Sequence, residues 1–344
     1  MERGLRKQND KLDLFKCIAI YGVVFLHILL PGRTGVAINC LARVGVPLFF
    51  LSAGYFSWRS SCATLARRAA RTAMMLVGTC LVLTCLGTVL AVRNGTGVLE
   101  YLAGRISLAA IKEFLLYQLL PLPYSWPLWF LGALLILYCL WWGVTALLGD
   151  RIPYDLLAVL AAVLLAVHLA LGEVRFLLSG AMNGLLLRNA WLDGIPFFLL
   201  GGWMRQHRDW WEKASARGLW LGVLAGAILS LGERWLTDFM DVHAGTILMA
   251  LSLMAAAVNA PQVRREWLRK TACFCGKELT FYIFAFHVPI YGILKEWQGS
   301  VSAFAWLMEH PWVTPFAVAI LSTLLALGLH GLSAAWKRGK ESCL

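Results

Sequence analysis

Residues Leu12 to Leu30 read LDLFKCIAIYGVVFLHILL, and this run decides what kind of protein the chain is. At about 1.5 Å of rise per residue it is long enough to cross the hydrocarbon core of a bilayer as one helix. A simple anchor would have no reason to keep Asp13, Lys16 and His27 in lipid. At about 100° per residue the eleven steps from Lys16 to His27 turn the helix by about 1100°, three turns plus roughly 20°. The two side chains therefore point the same way. Asp13 lies about 40° off that line, so one stripe carries a carboxylate, an ammonium and an imidazole, interleaved with Ile20, Val23 and Val24. Lys16 and His27 are spaced by roughly 16.5 Å along the axis, which predicts one near each membrane face.

The whole chain shares the apolar character of that run. Its 344 residues are 60% hydrophobic and only 15% charged, a balance that excludes an ordinary soluble domain and indicates a polytopic membrane protein. The net charge of +12 does not point to nucleic acid, because the basic residues fall in short clusters between apolar runs. Many of the 16 Trp, such as Trp58, Trp126, Trp210 and Trp312, stand near the ends of those runs, where an amphipathic ring suits the interface. The nine Cys are scattered and imply no disulfide framework. Cys273 and Cys275 lack partners at zinc spacing, so no metal is expected there. The first run is too long for a signal peptide and shows no small-residue cleavage site, so it is expected to stay in the mature protein.

Further spans are predicted at Leu41–Phe56, Ala73–Val92, Pro127–Leu148, Tyr154–Leu171, Ala190–Arg205, Gly218–Leu231, Gly245–Val258, Leu279–Leu294 and Trp312–Leu332. The fold class is thus all-α: a membrane helix bundle of about ten transmembrane helices forming one domain over residues 1–344. About 21 Lys and Arg, among them Arg3, Arg6, Lys7, the Arg264–Lys277 group, Lys337, Arg338 and Lys340, fall on the side of the N-terminus, against about 8 on the other. Both termini are accordingly expected in the cytoplasm, in a multi-pass protein of the plasma or inner membrane. The stretch LAAIKEFLLYQLLP, residues 108–121, reads as an interfacial amphipathic helix. No internal repeat or inverted pair of broken helices is visible.

Several side chains are candidates for chemistry. His27 suits proton transfer near neutral pH, although a histidine bonded to a backbone carbonyl would give the same pattern. Lys16, one turn from Asp13, can attract a phosphate or simply snorkel to the headgroups. Arg43 opens RVGVPLFFLSAGYF, residues 43–56, and is expected near the outer end, at the depth of His27, where a guanidinium holds a carbonyl, phosphate or carboxylate. Gly54 on the same face most simply allows close helix packing. Asp193, in AWLDGIPFFLLGGW, can orient His27, pair with Arg43 or act as a first-turn acid. His287, in FYIFAFHVPIYGIL, lies mid-span with Pro289 beyond it, and a site role competes with a structural hydrogen bond. His168, Glu173, His243 and Glu278 fall near span ends and are read as solvated or interfacial.

LDLFKCIAIYGVVFLH resembles the opening signature of the acyltransferase-3 family of integral membrane acyltransferases, a basic residue and a histidine separated by ten residues on the first helix. RVGVPLFFLSAGYF is similar to its second-helix block, PLWFLGALLILY to its Trp-Phe-Leu block and FYIFAFHVPIYGIL to its C-terminal His-Pro block, in the family's order. The resemblance implies transfer of an acyl group, usually acetyl, from cytoplasmic acyl-coenzyme A to a hydroxyl or amine of a cell-envelope glycan, lipid or related acceptor, with no metal. It makes His27 the catalytic base, Arg43 the second-helix arginine, His287 a further site residue and Lys16 the basic partner, with Asp13 beside it on the donor side. Asp193 completes the catalytic candidates. Lysine at 16 departs from the family's more frequent arginine and gives up bidentate geometry. The esterase-like domain of some members is absent from the sequence, which implies direct transfer to the acceptor. A homo-oligomer stays open, and a secondary transporter or proton-coupled flippase using the same polar stripe is the competing reading.

Overall fold

The computed structural model describes residues 9–341 except 106, 182, 238 and 239. Arg3, Arg6 and Lys7 lie outside the described residues, as do the side chains of Trp336, Lys337, Arg338 and Lys340. Among the described residues the secondary structure is helical throughout. In chain order the main helices are α1 (Asp10–His27), α2 (Gly32–Ala42), α3 (Gly45–Ser57), α4 (Cys62–Arg93), α5 (Leu108–Tyr117), α6 (Trp129–Leu148), α7 (Tyr154–Leu169), α8 (Ile195–Gln206), α9 (Ala216–Leu236), α10 (Ala244–Asn259), α11 (Thr280–Glu296) and α12 (Thr314–Glu341). Single π-helical turns interrupt the pattern at Ala170–Val174, Ala190–Gly194, Arg269–Cys273 and Cys275–Leu279.

Six of these helical stretches among the described residues are long and apolar enough to cross a membrane: Gly32–Ser57, Cys62–Arg93, Trp126–Arg151, Tyr154–Ser179, Ala216–Leu236 and Thr314–Ala335. The protein is therefore a multi-pass membrane protein. The first expected span is helical as α1 but holds Asp10, Lys11, Asp13 and Lys16 within 18 residues, and α10 and α11 are shorter, with 16 and 17 residues. By length and composition, six helices among the described residues can cross.

The second span departs from its expected form. Leu41–Phe56 is not one helix: α2 ends at Ala42, α3 begins at Gly45, and Arg43 sits in the gap. Pro47 supplies the reason. In a continuous helix its ring would strike the carbonyl of residue 43, whereas in the first turn of a new helix its missing N–H costs nothing. Upstream, Pro31 and Gly32 reverse the chain, with Gly32 at φ +70° where a side chain would be strained. The stretch around Cys40 is thus helical, and the Cys40 thiol is buried and donates to the Ser230 carbonyl at 3.3 Å.

The chain forms two compact units. The first comprises Met1–Leu48, Asp209–Leu231 and Leu248–Leu344, and centres on α1, which packs against α2, α11, α12 and the two π turns between 269 and 279. The second comprises Phe49–Arg208 and Gly232–Ile247; in it α4 packs on α6 and α7 on α8. Its core is aromatic: Phe50 lies 4.7 Å from Phe130 between ring centroids, and Trp141 lies 5.5 Å from Phe198. Gly54 and Gly201 let α3 and α8 touch backbone to backbone, since a Cβ on Gly54 would fall 1.8 Å from the Phe198 carbonyl oxygen. The close packing expected at Gly54 is thus observed.

Candidate functional site

The polar stripe of α1 faces the interior of the first unit. Asp13, Ile20, Val23 and Val24 are buried and Lys16 and His27 half-buried, whereas Ile18, about 200° round the helix from Lys16, is 63% exposed. At the inner end Lys16 Nζ lies 3.6 Å from Asp13 Oδ1. The helix is held there by the π turn at 275–279: Gly276 approaches so closely that a Cβ on it would meet the Asp13 carbonyl oxygen at 1.8 Å. Cys17 and Cys275 share a side-chain hydrogen bond, and the Cys273 thiol donates to the Asp10 carbonyl at 3.1 Å. Cys273 and Cys275 thus serve to fasten α1.

Just below this end a polar cleft of about 680 Å³ is lined by Asp10, Pro261, Gln262, Arg264, Arg269 and Lys270. Its volume falls within the range of small-molecule sites. Three of those residues are basic, and Lys270 also pairs with Glu266 at 2.8 Å.

At the other end α1 terminates on His27, whose ring lies 5.3 Å from that of His287, tilted by 32°. His287 is fully buried in α11. Its Nδ1 bonds the carbonyls of Ile283 at 3.0 Å and Phe284 at 2.8 Å. Both partners are acceptors, so Nδ1 carries the proton and Nε2 keeps a lone pair. Nε2 is buried and makes no hydrogen bond. The structural bond anticipated for His287 is thus present on Nδ1, and it leaves Nε2 without a hydrogen bond.

Arg43 is placed differently from expectation. The residues flanking it pack against the middle of α1, where Cβ atoms on Gly22 and Gly45 would lie 3.2 Å from Ala42 and 3.3 Å from the Ala19 carbonyl. The Arg43 backbone is therefore between the levels of Lys16 and His27, deeper than the outer end, because Pro47 breaks the helix there. Its Nε donates to Asn39 Oδ1 at 3.3 Å, and Asn39 Nδ2 in turn donates to the Leu26 carbonyl at 3.3 Å. This relay leads from the guanidinium to the residue before His27. Sequence reasoning missed Asn39, although a buried asparagine four residues before Arg43 in an apolar helix was a usable signal.

Asp193 belongs to the second unit. It is a first-turn acid of the π turn at 190–194, which Asn189 caps by accepting from the Trp191 and Leu192 amides at 2.9 Å. Asp193 is 1% exposed, its Oδ1 makes no hydrogen bond, and its charged neighbours are Asp241 and Arg188, themselves paired at 3.0 Å. His168 and His243, read from sequence as solvated or interfacial, are buried instead. The π turn at 170–174 carries Glu173 onto His243, with Nδ1 to Oε1 at 2.7 Å.

The family comparison gives the decisive finding: the acyltransferase-3 model, described as an acyltransferase domain, matches residues 9–331. The chain belongs to the acyltransferase-3 family. The match covers both units and nearly the whole chain, so the resemblance carried by the first-helix and His-Pro blocks holds. Membership implies acyltransferase activity in a multi-pass membrane protein. No curated protein and no solved structure matches the chain.

Proposed function

We propose that this acyltransferase-3 protein moves an acetyl group from cytoplasmic acetyl-coenzyme A to a hydroxyl or amine of an envelope glycan, lipid or related acceptor, with His27 as the base. The observation that carries the reading is the juxtaposition of His27 with a second, buried histidine, His287, whose Nε2 makes no hydrogen bond, at one end of a helix whose other end holds Lys16 above a basic cleft. The phosphates of the donor suit Arg264, Arg269 and Lys270, with Lys16 as a further point charge on the path inward. The pantetheine arm then runs along the α1 stripe past Ile20 and Val23, a distance of roughly 16.5 Å from Lys16 to His27.

In this mechanism His27 takes the proton of the acceptor O–H as the oxygen attacks the thioester carbon. Negative charge develops on the former carbonyl oxygen, where Arg43, aimed by Asn39, stabilises it. The intermediate collapses with cleavage of the C–S bond, the thiolate of coenzyme A departs, and the proton held on His27 passes to it. His287 holds the second proton-accepting nitrogen beside the first. The N-terminal and C-terminal basic clusters support a cytoplasmic location for both termini in a plasma or inner membrane, and the helices at α1, α8, α10 and α11 would bring the crossings to ten.

The experiment uses purified protein in liposomes with labelled acetyl-coenzyme A and an envelope extract, read by mass spectrometry for a single acetyl mass shift. His27→Ala is expected to bind acetyl-coenzyme A with unchanged affinity while transfer falls by about 10²- to 10⁴-fold. Unchanged transfer by His27→Ala would overturn the base assignment. Solute uptake that needs no acyl donor would favour the transporter reading instead.

A further inference from the structure

We infer that the first unit carries a binding groove for one alkyl chain of a membrane phospholipid, on the side of α1 away from its polar stripe. An apolar cavity of about 580 Å³ lies there, within the range of small-molecule sites, and every residue lining it belongs to that unit. Ile18, Gly22 and Phe25 supply the α1 wall, about 180–240° round the helix from Lys16. Ala42 and Val44, on either side of Arg43, form a second wall, and Trp220 of α9 and Leu253 of α10 close the far side.

Chemistry, place and length together say what fills it. No charged side chain among the described residues lines the groove, and its Tyr21 hydroxyl is already engaged, with Thr323 Oγ1 at 2.8 Å and with the Cys275 thiol at 3.7 Å. Such a cavity stays free of water and gives a polar headgroup nothing to bond. The groove opens on the protein surface, since Ile18 and Trp220 are exposed, and the exposed α9 side chains nearby, Leu221, Leu224 and Ile228, are aliphatic. It lies between Gly32–Ser57 and Ala216–Leu236, two of the stretches able to cross a membrane. What meets its opening is therefore hydrocarbon. From Phe15 to Phe25 it follows ten residues of α1, about 15 Å, which is half of a hydrocarbon core about 30 Å thick and so the depth of one leaflet.

Aromatic pairs frame the two ends. Phe15 meets Trp220 edge-on with ring centroids 6.1 Å apart, and Phe25 meets Phe316 at 5.3 Å. Between them the floor is built of small residues: a Cβ on Gly22 would stand 3.2 Å from that of Ala42, so α1 and α2 meet there with no long side chain to occupy the groove. A lipid chain lying in it touches Ala42 and Val44 and completes the packing of the break that holds Arg43. His27 points to the opposite side of α1, so this site and the acyl transfer proposed above stand or fall separately.

The test uses the full chain in micelles of a steroid detergent, which has no alkyl chain to compete, titrated with a palmitoyl lysophosphatidylcholine that carries a diazirine on its chain. After illumination, the labelled residues and the labels per chain are read by mass spectrometry. The expected result is saturable labelling by one lipid per chain, confined to the walls on α1, α2, α9 and α10. Ile38→Trp and Leu253→Trp push a larger side chain into the groove from two different walls. Each methylene kept out weakens binding about fourfold, so either variant should lose at least about tenfold. Val159→Trp, at an exposed position of α7, should change nothing. Labelling that never saturates or falls elsewhere in the wild type overturns the inference, as does undiminished labelling in either folded filling variant. A dimer whose contact covers the groove also overturns it, because a second copy of the chain would then be the occupant.

Discussion

Replacing Gly276 by alanine tests whether the first helix is held where the proposed chemistry needs it. The added Cβ would land 1.8 Å from the Asp13 carbonyl oxygen, 2.7 Å from its carbon and 2.9 Å from the Cys17 amide nitrogen. All three are backbone atoms, so no side chain can swing aside. Restoring an ordinary contact of 3.4 Å requires α1 and the π turn at 275–279 to part by about 1.6 Å, the difference between the two distances. Overpacking of this kind costs about 1–3 kcal/mol and occasionally more. The displacement also falls on the turn that carries Lys16, between Asp13 and Cys17, and moves it relative to the basic cleft.

A shift of about 1 Å in a positioning element can cost about 10²-fold in rate. Gly276→Ala is therefore expected to lower the Tm in micelles, weaken acetyl-coenzyme A binding and reduce transfer. Gly78→Ala is the control, because a Cβ there meets nothing within 4 Å in the long helix α4. It should be neutral or stabilising by up to about 1 kcal/mol, the helix preference of alanine over glycine. If Gly276→Ala matched Gly78→Ala in both Tm and donor affinity, the close contact between α1 and the π turn would be refuted. The reasoning about Lys16 would go with it.

Three further expectations concern other contacts. Gly201→Ala, whose Cβ would fall 2.1 Å from the Leu51 carbonyl oxygen, should destabilise the protein by about 1–3 kcal/mol through the α3–α8 packing, seen as a lower Tm. Asn39→Ala removes the group between Arg43 and the Leu26 carbonyl; transfer should fall with acetyl-coenzyme A affinity unchanged, and a parallel loss of affinity would argue for a merely structural role. His287→Asn keeps a donor one turn from Ile283 and Phe284 but removes the Nε2 lone pair, so it should fold and transfer poorly. His287→Leu should lose both stability and transfer, and full activity in His287→Asn would remove the second histidine from the site.

What the sequence made legible is what periodicity controls. The 100° rule placed Lys16, His27 and Asp13 on one line, and α1 keeps all three on its inward side because nothing interrupts the helix between residues 10 and 27. His287 was visible as an ionisable residue within an apolar run. The features that escaped are those where the helix departs from its regular period. Pro47 stands within the second span, but its effect four residues upstream at Arg43 shows only in the break between α2 and α3, and Asn39 gains its meaning only where α2 lies against α1. The burial of His168 and His243 likewise depends on a π turn and on the residues preceding α10, neither of which leaves a hydrophobic repeat to read.

The break at Arg43 is the point where local cost and proposed chemistry meet. Backbone groups at membrane depth need partners, and the gap between α2 and α3 meets that need only through short turns, from the Arg43 amide to the Cys40 carbonyl at 3.4 Å and from the Val44 amide to the Leu41 carbonyl at 3.3 Å. Those bonds are long and poorer than helical ones. Arg43, at the end of α2, connects through the Asn39 side chain to the Leu26 carbonyl beside His27. Irregular backbone within a membrane is tolerated where it is buried in protein or lines a polar cavity, and departures from local rules concentrate at functional sites. In the mechanism proposed above the arginine would meet charge that develops during transfer, and the weak turn beside it is the local cost of the break that Pro47 imposes.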